Sequence, residues 1–175
     1  MSKKLLFFIL ILNLLIFQKF ALSNDKQNFK IVDINFIMNQ SIAGKDILKT
    51  LDKENKKKIE EFKKIEKNLA DAKNKILSQK NILSEEEFKL KVDEHQIKVN
   101  DYQNNQKKNF ENLNKKKLEL SNKLLKEIND ILVKYSKDNS IDLILKKETI
   151  LISQKNSDIT QLVLKNLDNK IKKID

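Results

Sequence analysis

The chain of 175 residues contains no cysteine, no proline, no tryptophan, no arginine and a single glycine, Gly44. Without cysteine there is no disulfide framework and no thiolate metal site, so an oxidising compartment is tolerated but not exploited. Without arginine, bidentate recognition of phosphates and base edges has no side chain to carry it, which weighs against nucleic acid despite a formal charge of +11. The one histidine, His95, has no second histidine or cysteine to complete a metal site and is read as solvated. One glycine cannot build a phosphate-cradling loop, and no convergent set of nucleophile and base is present, so no enzyme, cofactor or metal is expected. Aromatic residues are 6% of the chain and charged residues 35%, a balance that suits a thin, elongated molecule better than one thick core.

The same absences say what is built. From Lys45 to the C-terminus there is neither glycine nor proline, and these residues cost a helix interior about 1 and about 3 kcal/mol. Nothing therefore breaks long helices, and charge alternates with apolar residues at helical period.

Residues 1–23 read as a segment apart. Lys3 and Lys4 form a basic head, residues 5–17 are apolar except for Asn13, and Ala21-Leu22-Ser23 offers small residues at both positions of a signal-peptidase site. A secretory signal peptide over residues 1–23 is expected, since the apolar run is shorter than the roughly 20 residues that span a bilayer. Cleavage removes Lys3, Lys4 and Lys19 and no acid, lowering the formal charge by three to +8.

Residues 29–38 (FKIVDINFIM) are β-branched and aromatic and predict a strand with a partly helical tail. Ser41 can cap the helix that follows, with Gly44 at its entry. From Lys45 the positions Leu48, Leu51, Ile59, Phe62, Ile65, Leu69, Ala72 and Ile76 recur at steps of three and four, with only the turn at Asn55 polar, a stripe of coiled-coil width that needs a partner helix. The stripe pauses at residues 81–84, where Ser84-Glu85-Glu86-Glu87 matches a capping box at a helix start. A second stripe then runs from Phe88 through Val92, Val99, Tyr102, Phe110, Leu113, Leu120, Leu124, Ile128 and Ile131 to Tyr135. At 1.5 Å per residue the two helices span roughly 55 and roughly 80 Å. A loop of a few residues forces them antiparallel, so the second outruns the first, and its last turns are expected to pack on the flanking strands.

Residues 141–145 (IDLIL) and 149–152 (TILI) predict two paired strands, and Asp158 or Thr160 is positioned to cap a short terminal helix. The fold class is α+β and mostly helical: a long antiparallel helical hairpin, a coiled-coil arm, projecting from a small β-rich body made by the two ends of the chain. Residues 24–44 and 140–175 form the body, and residues 45–139 the arm, with its tip near residues 81–84. A body so small gains from oligomerisation.

This layout resembles the Skp (OmpH) periplasmic chaperones. The resemblance rests on FKIVDINFIMNQSIAGK at residues 29–45, on the capped Ser84-Glu85-Glu86-Glu87 tip, and on SIDLILKKETILI at residues 140–152 followed by Asp158-Ile159-Thr160. It covers essentially the whole chain after Ser23; the departure is compositional, with lysine, asparagine and isoleucine where that family mixes in arginine, glutamine and alanine. The resemblance implies a homotrimer whose terminal strands form the trimerisation body, and arms that enclose unfolded outer-membrane β-barrel proteins without ATP. It implies a periplasmic holdase, against the alternative of a structural or adaptor coiled coil of the cell envelope.

Within that reading, Val32, Ile34, Leu143, Leu145, Ile150 and Ile152 are the oligomerisation candidates. Phe62, Ile65, Val99 and Phe110 are expected to hold the two helices together, leaving Phe88, Leu90, Ile97 and the arm lysines to meet client. Lysine stems cover apolar surface while their ammonium groups stay wet, which suits weak, extended holding. The lysine runs 56–58 and 115–117 are read as solvated faces, with an anionic lipid or lipopolysaccharide surface as the alternative partner.

Overall fold

The computed structural model describes residues 28–174, so the expected signal peptide lies outside the described residues. The elements among the described residues are β1 (Phe29–Val32), α1 (Ile34–Gln40), α2 (Ile42–Ser78), α3 (Glu85–Asp138), β2 (Leu143–Lys146), two 3-10 turns (Lys147–Thr149 and Lys155–Ser157) and α4 (Thr160–Lys170). The molecule is α+β and mostly helical. A two-stranded parallel sheet pairs Phe29 with Leu143 and Val32 with Lys146, and the whole hairpin forms the crossover between its strands.

The expected strand over residues 29–38 is shorter than the sequence suggests. Asp33 ends it: its Oδ1 accepts from the Phe36 amide at 2.8 Å and caps α1, so Ile34, Ile37 and Met38 turn one helical face to the core, with Ile37 fully buried. Ser41 then works for two helices at once. Its amide donates to the Ile37 carbonyl, closing α1, and its buried hydroxyl accepts from the Gly44 amide at 3.1 Å, opening α2. Gly44 is required by close approach, because a Cβ there would sit 1.9 Å from the Met38 carbonyl oxygen.

Helices α2 and α3, of 37 and 54 residues, run antiparallel. Three contacts fix the direction: Lys116 pairs with Glu54, the Tyr102 ring meets Phe62 edge-on at 5.9 Å, and His95 reaches Leu69. At the tip the capping box forms as the sequence predicts. The Glu87 amide donates to Ser84 Oγ at 3.3 Å and the Ser84 amide donates to the Glu87 carboxylate at 3.1 Å. Hydrogen bonds from the Ser84 hydroxyl and amide hold the Glu87 carboxyl below its ordinary range.

The core sits at the end of the hairpin away from the tip, where Leu120, Leu124 and Ile128 of α3 pack with Ile37 of α1, Ala43 and Ile47 of α2, and Val163 and Leu167 of α4. The last turns of α3 therefore pack chiefly on α1 and α4 and not on the strands as expected. Asp168 of α4 ties this junction together by accepting from the Ile42 amide, an otherwise orphan donor at the start of α2, at 2.7 Å.

The second expected strand, residues 149–152, does not form. The Thr149 hydroxyl donates to the Lys146 carbonyl and closes a 3-10 turn, and Leu151 and Ile152 project into solvent with 101% and 93% of their surface exposed. The Ile150 amide donates to the Lys147 carbonyl in the same turn, so the segment leaves the sheet without pairing on β2; β1 offers it no place either, since β2 lies on one edge and on the other the Ile159 amide donates to the Ile31 carbonyl at 2.9 Å. Neither Asp158 nor Thr160 caps α4 as expected: Ile159 holds the N-cap position without a side-chain bond, and Asp158 Oδ1 accepts from the Thr160 amide at 2.9 Å in the turn just ahead of the helix.

Candidate binding surface of the hairpin

The two helices of the arm touch along a thin seam and leave open grooves on both flanks. Phe62, Leu69, Ala72 and Ile76 of α2 and Val99, Tyr102 and Leu113 of α3 are half-buried between the helices. Several residues assigned to the seam by their spacing are not in it. Leu48, Ile59 and Ile65 are exposed, and Phe110 exposes 67% of its surface. Steps of three and four define an arc of the helix wheel, and a coiled-coil seam uses only the centre of that arc.

Apart from Ile65, which lines the opposite flank, the displaced residues fall in order with two further exposed residues, Leu77 and Val92. Leu48, Ile59 and Leu77 follow one another on α2 at close to whole numbers of turns, roughly three and then roughly five, and Val92 and Phe110 on α3 are again roughly five turns apart. All five therefore line one flank. Two grooves open there: a proximal one of about 270 Å³ between Leu48 and Leu51 of α2 and Phe110 and Leu113 of α3, and a distal one of about 330 Å³ between Ile76 and Leu77 of α2 and Val92 and Val99 of α3. The other flank is wetter: its groove of about 780 Å³ is lined by Lys58, Asn68, Lys98, Asp101, Asn105 and Lys108 around the Phe62–Tyr102 pair. Partial desolvation and the nearby Glu66 charge push the Tyr102 phenol up from its ordinary value.

His95 is not the solvated residue that its isolation in the sequence suggests. Its Nε2–H donates to the Leu69 carbonyl at 2.9 Å, joining α3 to α2 beside the distal groove. Among the described residues no cluster of three histidine, cysteine or carboxylate side chains could hold a metal ion, and no helix is long and apolar enough to cross a membrane.

Of the residues expected to meet client, Leu90 and Ile97 are 61% and 60% exposed, about two turns apart on the side of α3 opposite the seam, and Phe88 is half-buried near the tip. Sequence reasoning missed Leu48, Leu77, Val92 and Phe110 as surface residues; the recurring five-turn interval was the available signal. Of the oligomerisation candidates, Val32 is buried within this chain, Ile34, Leu145 and Ile150 are half-buried, and Leu143 and Ile152 are exposed. The exposed pair Leu151 and Ile152 caps a loop whose ends are pinned by Lys147 Nζ on the Asp158 carboxylate at 2.7 Å. Partial burial pushes the Asp158 carboxyl up, but hydrogen bonds from Lys147 and Thr160 outweigh it and hold the group below its ordinary value.

A helical hairpin rooted in a small α/β end, with the crossover itself forming the arm, defines a recognisable class of fold. The sequence model of the outer membrane protein (OmpH-like) family matches residues 28–167, and the chain belongs to that family. A crystal structure from Caulobacter crescentus CB15, described as an OmpH-like outer membrane chaperone, superposes with a TM-score of 0.80 at 16% identity, covering 85% of this chain and 88% of that one. No curated protein matches.

Proposed function

We propose that this protein is an ATP-independent holdase chaperone of the periplasm that binds unfolded outer-membrane β-barrel proteins and prevents their aggregation on the way to the outer membrane. The observation that carries the reading is the open apolar flank of the arm, with Leu48, Leu77, Val92 and Phe110 displayed along one side of a lysine-rich hairpin. An unfolded barrel protein presents alternating apolar side chains and unpaired strand edges that aggregate in water. Sparse apolar grooves cover such surface weakly at many points, and lysine stems extend the cover. Positive charge adds long-range attraction for acidic clients. Family membership and the fold shared with the Caulobacter protein support the same reading.

In this proposal residues 1–23 are a cleaved signal peptide, residues 24–44 and 140–175 form the body of a homotrimer, and residues 45–139 form the arm. The exposed Leu143, Leu151 and Ile152, and the outer edge of β2, unpaired among the described residues, support contact between copies there. An anionic lipid surface is a secondary partner: the Glu54–Lys116 pair brings the lysine runs 56–58 and 115–117 to one level of the arm.

The test is light scattering of several unrelated urea-denatured barrel proteins diluted into buffer. Suppression at one trimer per client is expected without nucleotide. Failure with every client would sink the holdase reading and favour an adaptor coiled coil with a fixed partner helix.

A further inference from the structure

The two apolar grooves on the flank are built from the same helix positions. Each of the α3 residues lining the proximal groove lies roughly five turns beyond its counterpart in the distal one, as Phe110 follows Val92 and Asn114 follows Gln96. On α2 the matching residues Leu51 and Ile76 are roughly seven turns apart. At 1.5 Å per residue the groove walls are separated by roughly 27 Å on α3 and roughly 37 Å on α2, which puts the groove centres about 32 Å apart. Both open on the same flank, where the stretch of α3 between Val99 and Phe110 is chiefly asparagine, glutamine and lysine, and the exposed Ile59 of α2 lies between the grooves without lining either.

Each groove also has one lysine at its rim, Lys73 at the distal and Lys117 at the proximal. Among the described residues neither enters an ion pair. The single acid of the proximal groove, Asp52, is already paired with Lys56 at 2.7 Å. Each apolar site thus presents a free positive charge to whatever fills it.

We infer that this flank is a two-point reader of extended, acidic segments carrying apolar anchors about 30 Å apart, one seated between Leu48 and Phe110 and the other between Leu77 and Val92. Extended chain rises about 3.3 Å per residue, so anchors nine or ten residues apart reach both grooves while closer ones reach only one. The match to a barrel strand is direct. Its apolar band is about 25 Å tall and its strands tilt by roughly 40°, which puts the two aromatic girdles about 33 Å apart along the strand. The inference rests on the proposed holdase function and names the segment of client that the arm selects.

Labelled, unstructured acidic peptides with two phenylalanine anchors separated by four, nine or fourteen residues test this by fluorescence anisotropy against the full chain. The peptide with the nine-residue spacing should bind about tenfold more tightly than the one with the four-residue spacing, because the first contact makes the second intramolecular. Leu48→Ala with Phe110→Ala, or Leu77→Ala with Val92→Ala, should abolish that difference and leave the closely spaced peptide within about threefold. All four side chains are exposed, and unchanged helical circular dichroism controls for folding. Equal affinity at every spacing, with unfolded barrel protein still bound, overturns the two-point reader alone. Loss of binding to unfolded barrel protein as well overturns the holdase reading beneath it.

Discussion

The amide of Asp33 donates to the hydroxyl of Thr160 at 2.9 Å, a bond between residues 127 apart in sequence that fastens the end of β1 to the start of α4. Thr160 is buried, so no water replaces the hydroxyl when it is removed. Thr160→Val keeps the shape and orphans the Asp33 amide, and should destabilise the chain by about 1–3 kcal/mol. The check is the urea midpoint of the variant against the parent at one fixed protein concentration, since the proposed assembly would make stability concentration-dependent.

Gly44→Ala sets two effects against each other. Alanine favours a helix interior by about 1 kcal/mol. Its Cβ would meet the Met38 carbonyl oxygen at 1.9 Å, however, and backbone cannot move aside as a flexible side chain can. The clash should win, with a net loss of about 1–3 kcal/mol. A rise in the thermal midpoint would show that the α1–α2 junction is looser than the structure indicates.

Asp158 makes stability sensitive to acid. Its carboxyl is held below the ordinary value in the folded chain, so its contribution is complete above the unfolded value of about 3.9 and is lost as pH falls through the folded one. Urea midpoints should change little on account of this group from pH 7 to pH 5 and decline below pH 4. Asp158→Asn removes the Lys147 pair and should lower the midpoint at neutral pH while flattening the acid decline. An acid decline of equal size in parent and variant would assign the effect to other carboxylates.

Ser84→Ala removes the reciprocal bonds with Glu87 at the tip, worth about 1 kcal/mol to the first turn of α3. The tip lies far from the core of Leu124, Ile128 and Val163, so the loss should be local. Amide hydrogen exchange should quicken at residues 85–88 and remain unchanged at residues 120–128.

Leu151→Asp with Ile152→Asp tests the proposed contact between copies. Both side chains are exposed in the single chain, so the substitutions should leave the fold intact and convert the proposed trimer to monomer. Light scattering on the purified variant reads the outcome; an unchanged trimer would move the contacts elsewhere.

The parts of the fold that local chemistry controls were legible in the chain. Ser84 and Glu87 lie one helical turn apart and find each other whatever the rest does, and the stretch from Lys45 free of glycine and proline admits little except helix. Ser41 is a cap of the same local kind, its hydroxyl accepting from the Gly44 amide at the start of α2. Where a residue's role depends on a distant partner, the reading of the chain failed. Residues 149–152 have strand composition, yet they pair neither with β2, as expected, nor with β1, whose two edges are occupied by segments that folding brings to them. His95 looks solitary until the hairpin closes and sets the Leu69 carbonyl before it.

The sequence by itself determined two long helices, the break between them and the antiparallel return, because capping, propensity and helical period act over a few residues. Tertiary structure alone decided which apolar residues became seam and which became surface. Leu69 and Leu48 share one stripe in the sequence, and Val99 and Phe110 another, yet one member of each pair is half-buried and the other exposed. The physical reason is that two packed helices cover only the central strip of each other, and the rotation that chooses the strip is fixed by the core at the base, where Ile37, Leu124 and Val163 meet.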